Sequence, residues 1–548
     1  MEKHWIDKLA DRLEEKFAEK RKQEVVISGG LSVSGLQHIG RLRGEVLIGE
    51  ALRRELEKRG FKVTQYLILY TQDAWKGKEA QLKQFSDARE AEKYRGWPLI
   101  KVPDPKGCHD NWVDHYWSDF GGVLDKFTDG KIRIMTTTEL YRGPLKKIVI
   151  ECINRREEIR RVINKYRGRN PYPEGWIPFE PICGKCGRID STKTISYSNG
   201  EVEYECTSCG YRGSTSVENG KLNWRLEWAA LWVVLGIDFE PYGKDHATPG
   251  GSRDSCVEIA RTIFRAEPPE GTAYEWVAIR IGGRESDMSS SDFIGMTPRE
   301  WLEIAHAEVL RYIYFKEEPR KKILIDPQQI PLYYDDYYKA EKLFYKARSG
   351  ESLSDEECLI ARSYELAQIQ EPPEKMPIQP PYATIALIVQ SFPENTDAKE
   401  MLNSTIKRLR SSGIIDMQQE LSEYDVKRLE ELLRKTRNWV NKYAPPHMRY
   451  KIIEVVPREV KKKLRYRERM IKLGRKLLNL KTWNTDEIKK VMIEVTSDLS
   501  PKERREFYAE FYTIITGEPK GPRAAPLIEV LGKGFVEKRL VKELEEHA

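Results

Sequence analysis

SGGLSVSGLQHIGRLRGE, residues 28–45, joins a short apolar run to an amphipathic one, and the fold is read outward from it. Before it, EVVISG (residues 24–29) has the apolar density of a buried strand. After it, apolar residues recur at helical spacing from His38 to near Gly60, and FKVTQYLILY (residues 61–70) then alternates and closes as a second strand. Strand, helix and strand with a small-residue loop after the first strand predict the opening of a doubly wound α/β domain, whose crevice lies at the carboxyl ends of its strands. Small residues let backbone N–H groups approach a ligand, and a helix N-terminus favours a phosphate. In that setting His38 can donate to a developing anion and Gly40 leaves room for a flat base such as adenine. Taken alone, a His-x-Gly at a helix start reads as an N-terminal capping turn.

Beyond this loop the chain is too long, at 548 residues, for one compact core, and three or four modules are expected. Charged residues make up 33% and hydrophobic ones 40%, and the longest apolar stretch, residues 228–236, is far short of the roughly 20 that span a bilayer. No membrane association is expected. Residues 1–22 lack the apolar segment and cleavage site of a signal peptide, so a cytoplasmic location is expected. The net charge of +7 is a small excess of 93 basic over 86 acidic residues and supports a polyanionic partner only weakly. From about 101 to 225 the texture turns to Pro, Gly, Cys and aromatic residues around one helical segment, 145–167, and reads as an insertion. Apolar α/β texture returns at Ile237, Phe239 and the strand-like residues 274–281. From Ser354 charged helical patterns dominate, broken by a Pro-rich linker at 371–381, and a basic run occupies 461–475.

Four of the eight cysteines form two Cys-x-x-Cys pairs, Cys183/Cys186 and Cys206/Cys209, with nineteen residues between them. That is the spacing of a zinc ribbon, in which two knuckles give four thiolates to one Zn2+. Four protein ligands leave no open position, so the role is structural. Gly187 and Gly210 follow the pairs, as tight knuckles require. Asp104, Cys108, His109 and His115 offer one oxygen, one sulfur and two nitrogens within a dozen residues, sufficient for a second closed site, although the same spacing also fits a merely polar loop.

Several motifs, in order along the chain, resemble the class I lysyl-tRNA synthetases, a branch of the class I aminoacyl-tRNA synthetase family. Ser34, Gly35, His38 and Gly40 keep the HIGH signature in its Pro-Ser-Gly-x-x-His-x-Gly-Asn form, with Val33 in place of proline and Arg41 in place of asparagine. Residues 103–109, PDPKGCH, are similar to a zinc-binding stretch of the family. WRLEW (224–228) and DFEPYGKDH (238–246) resemble the family's Trp-Arg-Val-Asp-Trp and Asp-Phe-Glu-Pro-x-Gly-Lys-Asp-His. RNWV (437–440), GPR (521–523) and Arg539-Leu540 resemble its helical anticodon-binding domain, although helix core and capping explain such residues equally well. The resemblance implies a Rossmann-like doubly wound catalytic domain over 1–325 with a zinc-binding insertion, a stem over 326–395 and an all-α anticodon-binding domain over 396–548. It implies a lysine–tRNA ligase that uses ATP with Mg2+, forms lysyl-AMP and charges tRNA(Lys), with two structural Zn2+ ions. Carried over by position, the catalytic residues are His38, Gly40, Lys244, Met288, Ser289 and Ser291, and the lysine pocket is Gly30, Ser32, Trp224, His246 and Tyr274. Aromatic faces attract an ammonium group, which suits a cationic substrate.

Two stretches depart from the pattern. The second family signature, KMSKS, has the form Lys-Met-Ser-x-Ser-Lys, yet here it reads Asp287-Met288-Ser289-Ser290-Ser291-Asp292. In the family these lysines hold the β- and γ-phosphates of ATP and stabilise the departing pyrophosphate, so the resemblance implies that two carboxylates there repel the triphosphate; unit charges about 4 Å apart repel by roughly 4 kcal/mol at an effective dielectric near 20, enough to slow adenylation about a thousandfold if uncompensated. Arg41, Lys244, Arg253, Arg280 and Arg284 are the nearby cations in sequence terms. YTQDAWKGK (70–78) replaces an Asp-rich segment, keeps only Asp73 in shifted register, and otherwise reads as a variable surface loop. The aspartates motivate an alternative from another class, a synthetase-derived paralogue that binds tRNA or an amino acid without charging. A third reading is activation of a different amino acid or modification of tRNA.

Overall fold

The computed structural model describes residues 2–393 and 395–546. The expected spans 1–325, 326–395 and 396–548 therefore include residues 1, 394, 547 and 548, which lie outside the described residues. The chain divides into two compact units, Met1–Trp301 with Leu310–Asp326 and Leu353–Gln370, and Leu302–Val309 with Pro327–Ser352 and Glu371–Ala548.

In the first unit, β1 (Glu24–Leu31) runs parallel to β2 (Lys62–Leu69) in unbroken register from Glu24↔Lys62 to Leu31↔Leu69. β3 (Arg133–Thr136) extends the sheet beyond β2. This strand lies within 101–225, so the parallel sheet continues into the stretch read as an insertion. On the other side of β1, Asp238 N–H donates to Val26 O at 2.8 Å and Ser28 N–H donates to Phe239 O at 3.0 Å, so Phe239 bridges β1 and then Glu270. Strand order thus reverses direction between β1 and Phe239, the topological switch point at which doubly wound sheets open a crevice.

Both faces of the sheet are covered, which is why β1 and the carboxyl end of β2 carry buried or half-buried apolar residues on both faces, while the edge strand β3 does not. On one face, α1 (Trp5–Glu19) and α2 (Ile48–Lys58) bury Leu9, Leu13, Phe17, Leu52 and Leu56 against Val25 and Ile27. On the other, Leu145, Val149, Ile163, Phe179, Trp228 and Leu231 enclose Ile68 and Tyr70. Each fully buried Leu or Ile contributes about 1.5–3 kcal/mol relative to exposure, whereas an exposed ion pair contributes about 0–1. These two layers, not surface charge, hold the sheet.

The helix expected from His38 takes helical backbone at residue 40, widens into a π-turn at Leu42–Leu47, and ends before Gly60, whose φ is +91°. At this entry Gly29 is obligatory, because a Cβ there would sit 1.9 Å from the Glu45 carbonyl oxygen. The helical segment expected over 145–167 is two helices, Leu145–Asn154 and Arg156–Asn164, that break at Arg155. Arg155 leaves the helical region and its guanidinium binds Glu151, Glu158 and the Ile263 carbonyl.

The second unit contains helices and no strand among its described residues. Its core gathers Met470, Leu473, Phe507, Phe511, Leu527 and Leu540. Trp439 is fully buried and donates to Pro327 O at 2.7 Å, and Arg539 donates to the carbonyls of Ile453, Glu454 and Ile514. Both side chains therefore hold helices together. In the basic run, Arg465, Arg469 and Arg475 are ion-paired with Glu506, Asp498 and Glu545. No helix among the described residues is long and apolar enough to cross a membrane.

Candidate active site

A cavity of about 630 Å³ opens at the carboxyl ends of β1 and the Phe239 strand. It is lined by Gly30, Ser32, His38, Gly40, Trp224, His246, Tyr274, Met288, Ser289 and Ser291, ten of the eleven residues that sequence placed in the ATP and amino-acid sites. Lys244, the eleventh, is exposed beside the cavity. Its ammonium pairs with the lining residue Glu275 at 2.6 Å and lies over the Trp276 ring at 4.4 Å.

The loop of residues 32–39 and the motif loop close against each other. Ser289 and Ile294 exchange both backbone hydrogen bonds, at 2.8 and 3.0 Å, which pinches Ser290–Phe293 into a tight turn. A Cβ on Gly35 would approach Ser290 O to 2.4 Å, so glycine is what lets the two loops touch. His38 sits at this junction with a buried Nδ1 that has no hydrogen-bond partner among the described residues. Burial, and then the Arg41 charge, push its pKa down to about 3, so the imidazole is neutral. Arg41 pairs with Glu45 at 3.1 Å and reaches Ser290 Oγ at 3.4 Å. Burial raises the Glu45 carboxyl, against the pull of Arg41 and of a hydrogen bond from Tyr274.

The other end of the cavity is aromatic. Trp224 stacks on Trp228 with centroids 5.2 Å apart, and the His246 ring lies 5.4 and 5.1 Å from the two. Burial lowers the His246 pKa while Asp245 opposes it. Glu240 beneath accepts from the indole N–H groups of Trp228 and Trp232. Asp73, at the exit of β2, is held by buried Lys221 at 2.6 Å, and Lys221 also lies 3.3 Å from Glu227, which accepts from the Tyr141 hydroxyl. The cavity therefore has a cation-friendly aromatic and carboxylate end, and at the other end a glycine- and serine-rich loop facing a helix start.

Both cysteine and histidine clusters are brought together in space. The Cys183–Cys209 and Cys186–Cys206 sulfurs are 3.7 and 3.6 Å apart. A tetrahedral site with Zn–S near 2.3 Å has sulfur edges of about 3.8 Å, so the four residues fit one ion. In the second cluster, Cys108 Sγ is 3.1 Å from His109 Nδ1 and 3.3 Å from His115 Nδ1, and His115 Nδ1 is 3.0 Å from Asp104 Oδ1. Backbone N–H groups of Lys106, Cys108 and His109 orient the Asp104 carboxylate. Each cluster can hold a metal ion.

Of the cations sequence offered for the missing motif lysines, only Arg41 lines the cavity. Arg253 is buried over Trp232 and Tyr242 and donates to Pro269 O. Arg280 lies between Glu285 and Asp326. The cations that meet the two aspartates are others: Lys322 pairs with Asp287 at 2.8 Å and Lys78 with Asp292 at 2.8 Å. Lys76, from the same segment as Lys78, lines the cavity directly. No sequence signal marked Lys78 and Lys322, because their partners are distant along the chain.

A doubly wound α/β unit with its cavity at the switch point is the architecture of nucleotide-binding α/β enzymes. Residues 3–370 match the model of the family described as tRNA synthetases class I (K), and the chain belongs to that family. It is 51% identical over 541 residues to the lysine–tRNA ligase of Aeropyrum pernix, covering 98% of this chain and 97% of the relative. The lysine–tRNA ligase of Methanocaldococcus jannaschii is 31% identical, with 98% and 99% covered, and that of Methanosphaera stadtmanae 30% identical, with 98% and 99% covered.

Proposed function

We propose that this chain is a lysine–tRNA ligase that activates lysine with ATP and transfers it to tRNA(Lys). The observation that carries the reading is the convergence of residues 30–40, 224–246, 274 and 288–291, far apart in sequence, on one cavity in a family whose relatives of near-full-length similarity bear that name. The β1 loop and the helix start hold the triphosphate, which magnesium accompanies, and neutral His38 donates to the phosphate oxygens. Trp224, Trp228 and His246 surround the lysine side chain, and Gly30, Ser32 and Tyr274 position its amino-acid group. One carboxylate oxygen of lysine bonds the α-phosphorus while the bond from that phosphorus to the bridging oxygen breaks, so pyrophosphate departs with the bonding pair. The terminal ribose hydroxyl of tRNA then bonds the lysyl carbonyl carbon while the bond from that carbon to the phosphate oxygen breaks, so AMP departs with the bonding pair and the hydroxyl proton is released. Positioning and charge stabilisation carry such in-line chemistry.

The four-cysteine and Asp-Cys-His-His clusters each hold a structural Zn2+. Residues 396–548 read the anticodon, where unpaired bases are accessible. The enzyme acts in the cytoplasm. The two aspartates that motivate a non-charging paralogue are both ion-paired, which offsets the repulsion on which that alternative rests. Charging of tRNA(Lys) with radiolabelled lysine, beside the other amino acids as controls, tests the reading. Lysine-specific charging is expected, and charging with a different amino acid alone overturns the specificity.

A further inference from the structure

The motif loop and the 70–78 segment are the two departures from the family pattern, and the structure joins them. Lys78 Nζ lies 2.8 and 3.1 Å from the two oxygens of Asp292, and the Ser289 hydroxyl donates to the same carboxylate at 2.7 Å. One turn on, Gln81 Nε2 donates to Ser34 O at 2.8 Å, fastening the segment to the loop between β1 and the helix start. The segment is thus held at both loops that face the cavity's nucleotide end. Lys76, two residues before Lys78, lines the cavity, is exposed, and has no ion-pair partner among the described residues. The Asp292 carboxyl is held below its usual range first by Lys78, then by Ser289, with Lys76 acting through space, so both ammonium groups are within electrostatic reach of the motif. Of the other cations, Lys244 is paired with Glu275, and Arg41, which lines the cavity, is paired with Glu45 and reaches Ser290 Oγ.

We propose that the positive charge for the β- and γ-phosphates has moved from the motif to the segment after β2, with Lys78, drawn in by Asp292, and Lys76 taking the place of the two motif lysines. This rests on the reading of the cavity as an adenylate-forming site. An ammonium has three donors, and Lys78 directs two at Asp292, leaving one for a phosphate oxygen. Negative charge grows on the β-phosphate as the bridging bond breaks, and a cationic donor that meets it there stabilises the transition state more than the ground state; Lys76 lines the cavity, and Lys78, outside the lining, is held to the motif loop beside it by Asp292. Lys76 and Lys78 are therefore catalytic residues, and Asp292 is a positioning residue that turns a repulsive substitution into a tether.

The test is lysine-dependent ATP–pyrophosphate exchange by the full chain and by Lys76→Met, Lys78→Met, Lys78→Arg and the double variant Lys78→Met with Asp292→Lys. Each methionine variant is expected to lose about 10²-fold in kcat with the KM for lysine within about threefold, the scale of removing one transition-state donor. Lys78→Arg is expected to stay within about tenfold of the parent, and Asp292→Lys is expected to recover at least about tenfold in the Lys78→Met background. If either methionine variant exchanges at the parent rate, or if Asp292→Lys recovers nothing, the proposal is overturned, the latter because Lys78 would then only brace the loop. A parent chain with no lysine-dependent exchange, either with or without tRNA, overturns the adenylation reading itself and the proposal with it, which separates the two failures.

Discussion

His38 shows what a single residue in this cavity can do. Its imidazole is held neutral by burial and by Arg41, so in the proposed reading it gives a phosphate oxygen a hydrogen bond without adding charge. Replacing His38 with alanine is expected to lower pyrophosphate exchange about 10²–10³-fold while leaving tRNA affinity unchanged in a filter-binding titration. Because its pKa lies near 3, exchange should show no limb from His38 between pH 5 and 8. His4 is the second buried histidine with a pKa pushed down, to about 4, mainly by burial. Its Nδ1 accepts from Ile6 N–H and its Nε2 donates to Phe315 O, a pair of bonds that only the neutral ring can make. Above the unfolded value near 6.5 it is neutral in both states and contributes no pH dependence; as pH falls from 6.5 towards 4, only the unfolded chain gains the proton and stability is lost. The difference in urea midpoint between pH 7 and pH 5 should therefore shrink in His4→Asn. An unchanged difference would mean His4 titrates as freely in the fold as out of it. His38 and the tryptophans of the cavity were legible because histidine and tryptophan are scarce and their order along the chain forms a pattern, whereas nothing in the sequence singled out His4. Lys78, Lys221 and Lys322 were not, because a lysine in a polar stretch carries no mark of the distant carboxylate that it meets, and Lys76 was not, because nothing in its sequence marks a lysine that lines the cavity.

At the scale of elements, the opening strand, loop, helix and strand were legible because apolar spacing changes from continuous to helical to alternating within forty-odd residues. β3 escaped notice because its four residues, RIMT, are all exposed or half-buried and carry no apolar run. The break at Arg155 escaped because the helical periodicity continues across it and only a non-helical backbone at one arginine interrupts it. The contact of β1 with the helix entry depends on Gly29. Gly29→Ala is expected to destabilise the fold by at least about 1–3 kcal/mol in urea unfolding, since the obstructing atom is backbone and cannot rotate away. The cysteine ribbon was the most legible element of all, because paired Cys-x-x-Cys spacing has few other uses. Elemental analysis is expected to find about two zinc ions per chain, and Cys206→Ser about one. A parent chain free of zinc would overturn both assignments.

For the whole molecule, the family is carried by many modest matches in order, and its chemistry by one cavity that gathers them. The helical second unit was foreseen in kind from its charged periodicity. The motif-like residues Trp439 and Arg539 hold helices together there, so conspicuous residues in that unit do not by themselves mark a binding face. The most direct measurement is ATP–pyrophosphate exchange with lysine and each other amino acid, with and without tRNA. Exchange specific to lysine is the expected result, showing that Asp287 and Asp292 have not disabled adenylation; no exchange in either condition, with tRNA still bound, would contradict it.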